Sequence, residues 1–419
     1  MIHEDELLVI LYGTPVAHVR RGRAPHRLRW TWTPEASARW GVGSRVVSHG
    51  LAISQPGSEA ADLRAGVFAN GLLPEGDARL HYAVNAGIDP DDTFGLLRRY
   101  ARDTAGALEF LPRDSDDSSA PTLGPLSPPE LRRLLEDAGS SSRYGGLTSV
   151  SLAGLVPKIA LVRDGDAWRQ PAAGEPSTWI LKVAHPPSSQ AADVVDTEVA
   201  CLDLGRRVGI TTVDAEIVDT DGQRAIAVSR YDRRRGEDGN IERLHQEDIA
   251  QALGLNTAQP DRKFQHGRAI PSWSAAADVL GAGSGSLSLL ARLVTFSYLV
   301  GNTDHHAKNT SFLRRADGTV SLAPGYDIAA HLHYPGAHRT ALDLAGESDF
   351  AVLSIEHVVE EIESWGIPGQ LARNVVIDTT TRLADALASI DRARHPGVTA
   401  AAWNLVDDRV AEAAETLYR

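Results

Sequence analysis

The chain contains a single cysteine, Cys201, in 419 residues. That excludes an internal disulfide and a cysteine-built zinc centre, and it fits a reducing compartment. No apolar run is long enough to cross a bilayer. The opening stretch MIHEDELLVILYG sets acidic residues before a short apolar segment, where a secretory signal would carry basic residues and a longer apolar block. A cytoplasmic protein with no membrane partner is expected. No segment repeats internally, and no Walker G-K-[ST] loop precedes a helix. Excess positive charge is lacking as well. The formal net charge of −13 argues against autonomous, nonspecific binding to DNA. Only a local basic patch remains, Arg20, Arg21, Arg23, Arg27 and Arg29.

Lysine is the scarcest of the charged residues. Of 42 basic residues only four are lysines, Lys158, Lys182, Lys263 and Lys308. Where a generic positive charge suffices, this chain uses arginine. A lysine that survives such a bias is a candidate for work that suits a compact ammonium, such as touching phosphates. Lys158, Lys182 and Lys308 fall in motifs described below, whereas Lys263 in DRKFQ reads as chance.

What is present is length enough for two or three packed units. Residues 6–12 and 26–32 read as strands, and 92–101 as a helix capped by Asp92. A Ser-, Asp- and Pro-rich stretch at 112–130 reads as a linker, followed by a short helix from Pro128 to Gly139. VSLAGLVPKIALVR (150–163) suggests strand-turn-strand, STWILKV (177–183) a strand, and 193–209 an amphipathic helix. A hairpin turns at Asp221-Gly222. From about 243 onward the pattern is mainly helical, beginning with HQEDIAQALG. The expected units are an N-terminal subdomain (1–112), a linker with a short helix (113–147), a β-rich lobe (148–242) and a helical lobe (243–419).

The chain is organised around GNTDHHAKNTSF (301–312) and PGYD (324–327). Asp304 and Asn309 stand five apart, and Asp327 follows a short hairpin-like segment. Phosphoryl transfer from ATP needs a carboxylate at the acceptor hydroxyl. It also needs an amide oxygen and a second carboxylate to hold Mg²⁺, and protein kinases supply them in this order. A lysine on a strand, Lys182, and an acid on the next helix, Glu198, precede this set in kinase order. The pattern predicts an α+β, two-lobed, protein-kinase-like fold. Its N-terminal half is β-rich with an extra subdomain, and its C-terminal lobe is mainly α-helical. Two adjacent histidines, His305 and His306, lack the i, i+4 spacing of a helical zinc pair.

Taken together, GLLPEGDAR, SLAGLVPK, TWILK, the Glu198 helix, VSRYDRR, RLHQEDIAQALG, GNTDHHAKNTSF and LAPGYDIA run in the order of one family. The chain resembles the HipA serine/threonine kinases, the toxin half of bacterial toxin–antitoxin pairs. The resemblance implies Asp304 as catalytic residue, Asn309 and Asp327 as Mg ligands, and Lys182 as the ATP lysine. It implies a phosphate loop from Ala153 through Gly154, Leu155 and Val156 to Lys158. Ser229, Arg230 and Tyr231 would form the hinge that meets adenine through its backbone, with His306 and Tyr326 also at the nucleotide. Ser151 falls where the family carries an autophosphorylated serine whose modification expels the loop. Val156 and His305 depart from residues common in the family. The implied partners are a helix-turn-helix antitoxin of HipB type, DNA mainly through that antitoxin, and a protein substrate of the aminoacyl-tRNA synthetase class. A non-catalytic corepressor and a small-molecule kinase are the alternative readings.

Overall fold

Alternation builds the first unit. Leu28, Trp30 and Trp32 fall on one face of the strand Leu28–Trp32 and are buried. Leu7, Val9 and Leu11 do the same in Glu6–Leu11. The computed structural model describes residues 5–113, 124–139, 158–172, 174–237, 239–267, 269–281 and 285–419. Leu28–Trp32, Thr14–Arg21, Glu6–Leu11 and Leu108–Pro112 form, in that spatial order, an antiparallel sheet. Trp30 meets Trp32, Phe68 and Phe110 edge-on in its core. Helices Pro34–Trp40, Asp62–Asn70, Gly76–Ala86 and Thr93–Tyr100 complete the unit. Asp92 caps the last of them, accepting the Gly95 N–H at 3.0 Å. The basic patch is largely neutralised here: Arg20 pairs with Glu6, Arg21 with Asp92, Arg27 with Asp62 and Arg29 with Glu59.

The second sheet runs Ala167–Arg169, Lys158–Asp164, Trp179–Val183, Gln223–Ser229, Ala215–Thr220, with every described pairing antiparallel. Its two faces are covered differently. Leu181, Ala225 and Ala227 pack against Leu131, Leu135 and Ala138 of the helix Pro128–Gly139. The helix read from sequence as part of a linker therefore covers one face of this sheet. Ile226 and Val228 point the other way, onto Val195 and Leu202 of the helix Val194–Val208. Strand alternation then turns Lys182, next to Leu181, toward that second helix. Asp221 and Gly222, both at positive φ, make the predicted hairpin turn.

The remainder is chiefly helical. Gly285–Leu299, Ile355–Ser364, Gly369–Ser389 and Ala400–Leu417 share the largest core, built around residues such as Leu290, Phe296, Val358, Val376 and Leu383. HQEDIAQALG is not one helix. Gln246–Asp248 is a strand paired to Ser311–Arg314, and a short helix, Ile249–Ala252, begins only after Asp248 caps it. The three strand residues are all polar and all buried. Each has a charged or hydroxyl partner: Tyr231 for Gln246, Arg314 for Glu247, and Lys308 for Asp248.

The N-terminal unit touches the rest at two places that matter for the site. At one, Asp103 and the Thr104 carbonyl receive the buried guanidinium groups of Arg230 and Arg233, which also pair with Asp232. At the other, Glu75 reaches Lys308 at 3.0 Å.

Candidate active site

Lys182, Glu198, Asp327, Asp304 and Asn309 arrive from four separate segments. Lys182 stands on Trp179–Val183, the middle strand of the second sheet. Its Nζ lies 2.8 Å from Glu198 Oε1, on the buried face of Val194–Val208, and also pairs with the Asp327 carboxylate. Burial opposes a charge there, but Asp327 and Glu198 together hold the ammonium above its ordinary range. Asp327 overcomes its own desolvation through the same lysine and stays ionised below the ordinary carboxylate range. Its backbone takes the left-handed conformation, φ 55°. For a residue with a Cβ that is a strained geometry of the kind found at functional sites.

Asp304 and Asn309 are joined directly. The Asn309 Nδ2 donates to the Asp304 carbonyl at 2.8 Å, which leaves the amide oxygen for another partner. The Asp304 side chain is about half-exposed. Its carboxyl is raised to about 6, by loss of solvent in the cleft and by the negative Asp327, against the pull of Lys263 and Lys182. His306 sits beside it, with Nε2 3.9 Å from Asp304 Oδ1 and Nδ1 receiving the Lys308 N–H at 3.3 Å. Burial drops His306 to about 3. His305 turns into the core instead, edge-on to Trp273 and bonded to Thr310 Oγ1 at 2.8 Å.

Lys182, Asp327, Asp304, Asn309 and His306 line one cleft of about 280 Å³, together with Lys158, Ser229, Arg230, Tyr231 and Tyr326. Lys158 lies directly across the strand pair from Lys182. Burial and that neighbouring charge lower it to about 8. The rings of Tyr231 and Tyr326 stack at 5.3 Å, and their hydroxyls bond Gln246 and the Lys308 carbonyl. At the hinge, the Ser229 N–H is taken by the Asp214 carbonyl and the Arg230 N–H by the Thr178 carbonyl, while among the described residues Tyr231 N–H has no such partner. Ser151, Ala153, Gly154, Leu155 and Val156 lie outside the described residues. A larger groove of about 540 Å³ near Tyr12, Arg243 and Arg315 holds none of the groups above.

All four lysines of the chain line this cleft. Lys308 sits in the motif, yet its Nζ is buried between Glu75 at 3.0 Å and Asp248 at 3.1 Å. Lys263, set aside as chance, lines the cleft with Asp304. The scarcity of lysine that singled out the other three was signal enough to find it.

A sheet lobe and a helical lobe meeting at a cleft with this lysine–acid pair define a protein-kinase-like protein. Solved structures agree on the fold. HipA of Shewanella oneidensis, from a complex with HipB and its operator DNA, superposes with a TM-score of 0.78 at 21% identity, covering 98% of this chain and 99% of that one. Sequence profiles match a HipA N-terminal domain at residues 7–111 and a HipA-like C-terminal domain at residues 150–387. A Sinorhizobium fredii protein named as a kinase, Y4mE, is 30% identical over 336 residues, 77% of this chain and 78% of its own. The serine/threonine-protein kinase toxin HipA of Shewanella oneidensis is 26% identical over 334 residues, 76% of this chain and 74% of its own. The chain belongs to the HipA family and is a kinase.

Proposed function

We propose that this protein transfers the γ-phosphoryl group of ATP to a serine or threonine hydroxyl of another protein, with Asp304 as the residue that accepts the hydroxyl proton. The observation that carries this reading is Lys182 held between Glu198 and Asp327 in one cleft with Asp304 and Asn309. In the reaction a bond forms from the acceptor oxygen to the γ-phosphorus. The bond from that phosphorus to the β,γ-bridging oxygen breaks, and ADP leaves with the electron pair. With a carboxyl near 6, Asp304 is ionised at neutral pH and still basic enough to accept a proton. Lys182 and Lys158 neutralise phosphate charge. Tyr231 offers its N–H to the adenine edge, and the paired tyrosine rings give the base an apolar surface.

Asp327, an ionised carboxylate, and the amide oxygen of Asn309 form a hard-oxygen donor set that suits Mg²⁺. When bound there, the ion would supply charge neutralisation at the β- and γ-phosphates. The unit boundaries expected from sequence, 1–112, 113–147, 148–242 and 243–419, remain our division of the chain.

Three further points belong to the same reading. The Shewanella relative assembles with HipB on DNA. A helix-turn-helix antitoxin is accordingly the partner we assign here, with DNA reached mainly through it. The protein substrate is of the aminoacyl-tRNA synthetase class, so that phosphorylation arrests growth in the cytoplasm. Ser151 is the self-inactivating site. A phosphate there adds about −1.5 to −2 charges at the mouth of the nucleotide loop, where it repels ATP.

Incubation with γ-labelled ATP and Mg²⁺, followed by mass spectrometry, tests these points together. Label on Ser151 and on a lysate protein is expected. In Asp304→Asn both should vanish, a loss of about 10²–10⁴-fold, with the melting temperature unchanged. Full transfer by that variant sinks the assignment of Asp304. Label on Ser149 or Thr148 alone sinks that of Ser151.

A further inference from the structure

Lys263 has no motif around it and no assigned part in the reaction. It ends a short 3₁₀ turn, Pro260–Lys263. Its backbone carbonyl accepts the Ala307 N–H at 3.1 Å, which straps this turn to the segment that carries Asp304 and Asn309. The side chain is buried, 5% exposed, and lines the cleft beside Asp304 and His306. Its ammonium stands 5.5 Å from the centre of the Phe264 ring, and that ring in turn meets His306 edge-on at 5.4 Å. Among the described residues it forms no ion pair. A buried ammonium without a carboxylate is expensive, and an aromatic face at that range returns only about 0.5–2 kcal/mol.

Two of the other lysines that line the cleft are engaged by carboxylates. Lys308 is taken by Glu75 and Asp248, and Lys182 by Glu198 and Asp327. His306 accepts the Lys308 N–H through Nδ1, which requires that nitrogen to be unprotonated. Yet the group in transit carries negative charge on three oxygens as it passes toward the acceptor. A cation is needed on the acceptor side of the cleft, and Lys263 is placed to supply one.

We propose that Lys263 is a further catalytic residue, whose ammonium donates to the non-bridging oxygens of the γ-phosphoryl group as it passes from ADP to the acceptor hydroxyl. The inference rests on the kinase reading above. Lys263 keeps its protons throughout. The acceptor proton goes to Asp304, and the leaving electron pair goes to ADP. The ammonium interacts more strongly with the transferring group than with bound ADP, so its removal lowers the rate and leaves product binding alone.

The test uses the full chain with Lys263→Met and Lys263→Arg. Three quantities are measured in each: the rate of label transfer from γ-labelled ATP, the affinity for Mg·ADP, and the affinity for Mg·ADP with aluminium fluoride, which mimics the group in transit. Lys263→Met should lose about 10²–10³-fold in rate. It should lose a similar factor for the fluoride complex, with ADP affinity within about threefold. Lys263→Arg should recover part of both losses. Removing an unpaired buried charge does not by itself unfold a protein, and retained ADP binding verifies the fold. Equal rates and fluoride affinities in the Met variant and the unsubstituted chain would overturn the proposal. So would a parallel loss of ADP binding, which marks a structural role. If the unsubstituted chain transfers no label, the kinase reading has failed and this inference falls with it.

Discussion

Two ammonium groups in this molecule each stand between two carboxylates, and they do different work. Lys182 lies between Glu198 and Asp327, Lys308 between Glu75 and Asp248. In the second group all three side chains are buried, at 5%, 7% and 8% exposure. In the first, Asp327 is 42% exposed and opens on the cleft. The buried trio borders the same cleft, but solvent barely reaches either of its carboxylates, so it holds the N-terminal unit to the segment of Asp304. An open trio can share one carboxylate with an incoming ligand while the lysine keeps the other. The difference between a structural and a working lysine therefore lies in the exposure of its partner. The number of bonds it makes is the same.

The comparison can be broken by removing each ammonium in turn. Lys308→Met leaves two buried carboxylates without a cation and should destabilise the fold by about 3–5 kcal/mol. Lys182→Met should cost less than half of that in denaturant unfolding. Asp327 can turn to solvent, and Glu198, already raised by burial, can take up a proton. The rate of transfer should fall the other way, at least about 100-fold for Lys182→Met. A larger loss of stability in the Lys182 variant would reverse the assignment of the two trios.

A smaller effect separates cleft from seam by pH. On the proposed mechanism, transfer needs an ionised Asp304. The rate should therefore rise with pH through about 6 and flatten above it. His245, buried in the seam and donating to the Val47 carbonyl at 2.8 Å, is lowered to about 4 by desolvation, which that bond only partly offsets. Its folded value lies below its unfolded one, near 6.5. The stability it confers is complete above 6.5 and drains away as pH falls toward 4, by at most ~1.4 kcal/mol per pH unit. Urea titrations at pH 7 and 5 should show that fall, and His245→Gln should make it shallower. An unchanged slope in the variant would place the titrating group elsewhere.

Much of this was legible before any coordinates. The Asp304–Asn309 spacing, the later Asp327, and the order of Lys182 before Glu198 are local or ordinal signals. The chemistry that needs them leaves little freedom in either. Two of the four strands of the first sheet, Glu6–Leu11 and Leu28–Trp32, announced themselves through their apolar pattern, while Thr14–Arg21 and Leu108–Pro112 did not. What stayed hidden depends on contacts between distant segments. Lys308 stood out as a candidate because it falls in the Asp304–Asn309 motif; only the fold brings Glu75 to it. Lys263 looked idle because nothing near it in sequence reveals the bond from Ala307 that draws its turn to the cleft. Gln246–Asp248 read as helix because its acids and amide resemble an exposed helical face, whereas each is buried against a partner far along the chain.

The seam has a consequence for how the chain comes into being. Arg230 and Arg233 are buried against Asp103, and Lys308 against Glu75. Without the N-terminal unit those three cations would keep only Asp232 and Asp248 as partners, along a raw surface. The kinase portion thus relates to the first hundred or so residues as one subunit of a permanent dimer relates to its mate. Joining the two in a single chain removes any need for them to find each other. It also sets the order of assembly, because the N-terminal unit leaves the ribosome first and folds as a unit. The cleft is then built against a surface that already waits for it.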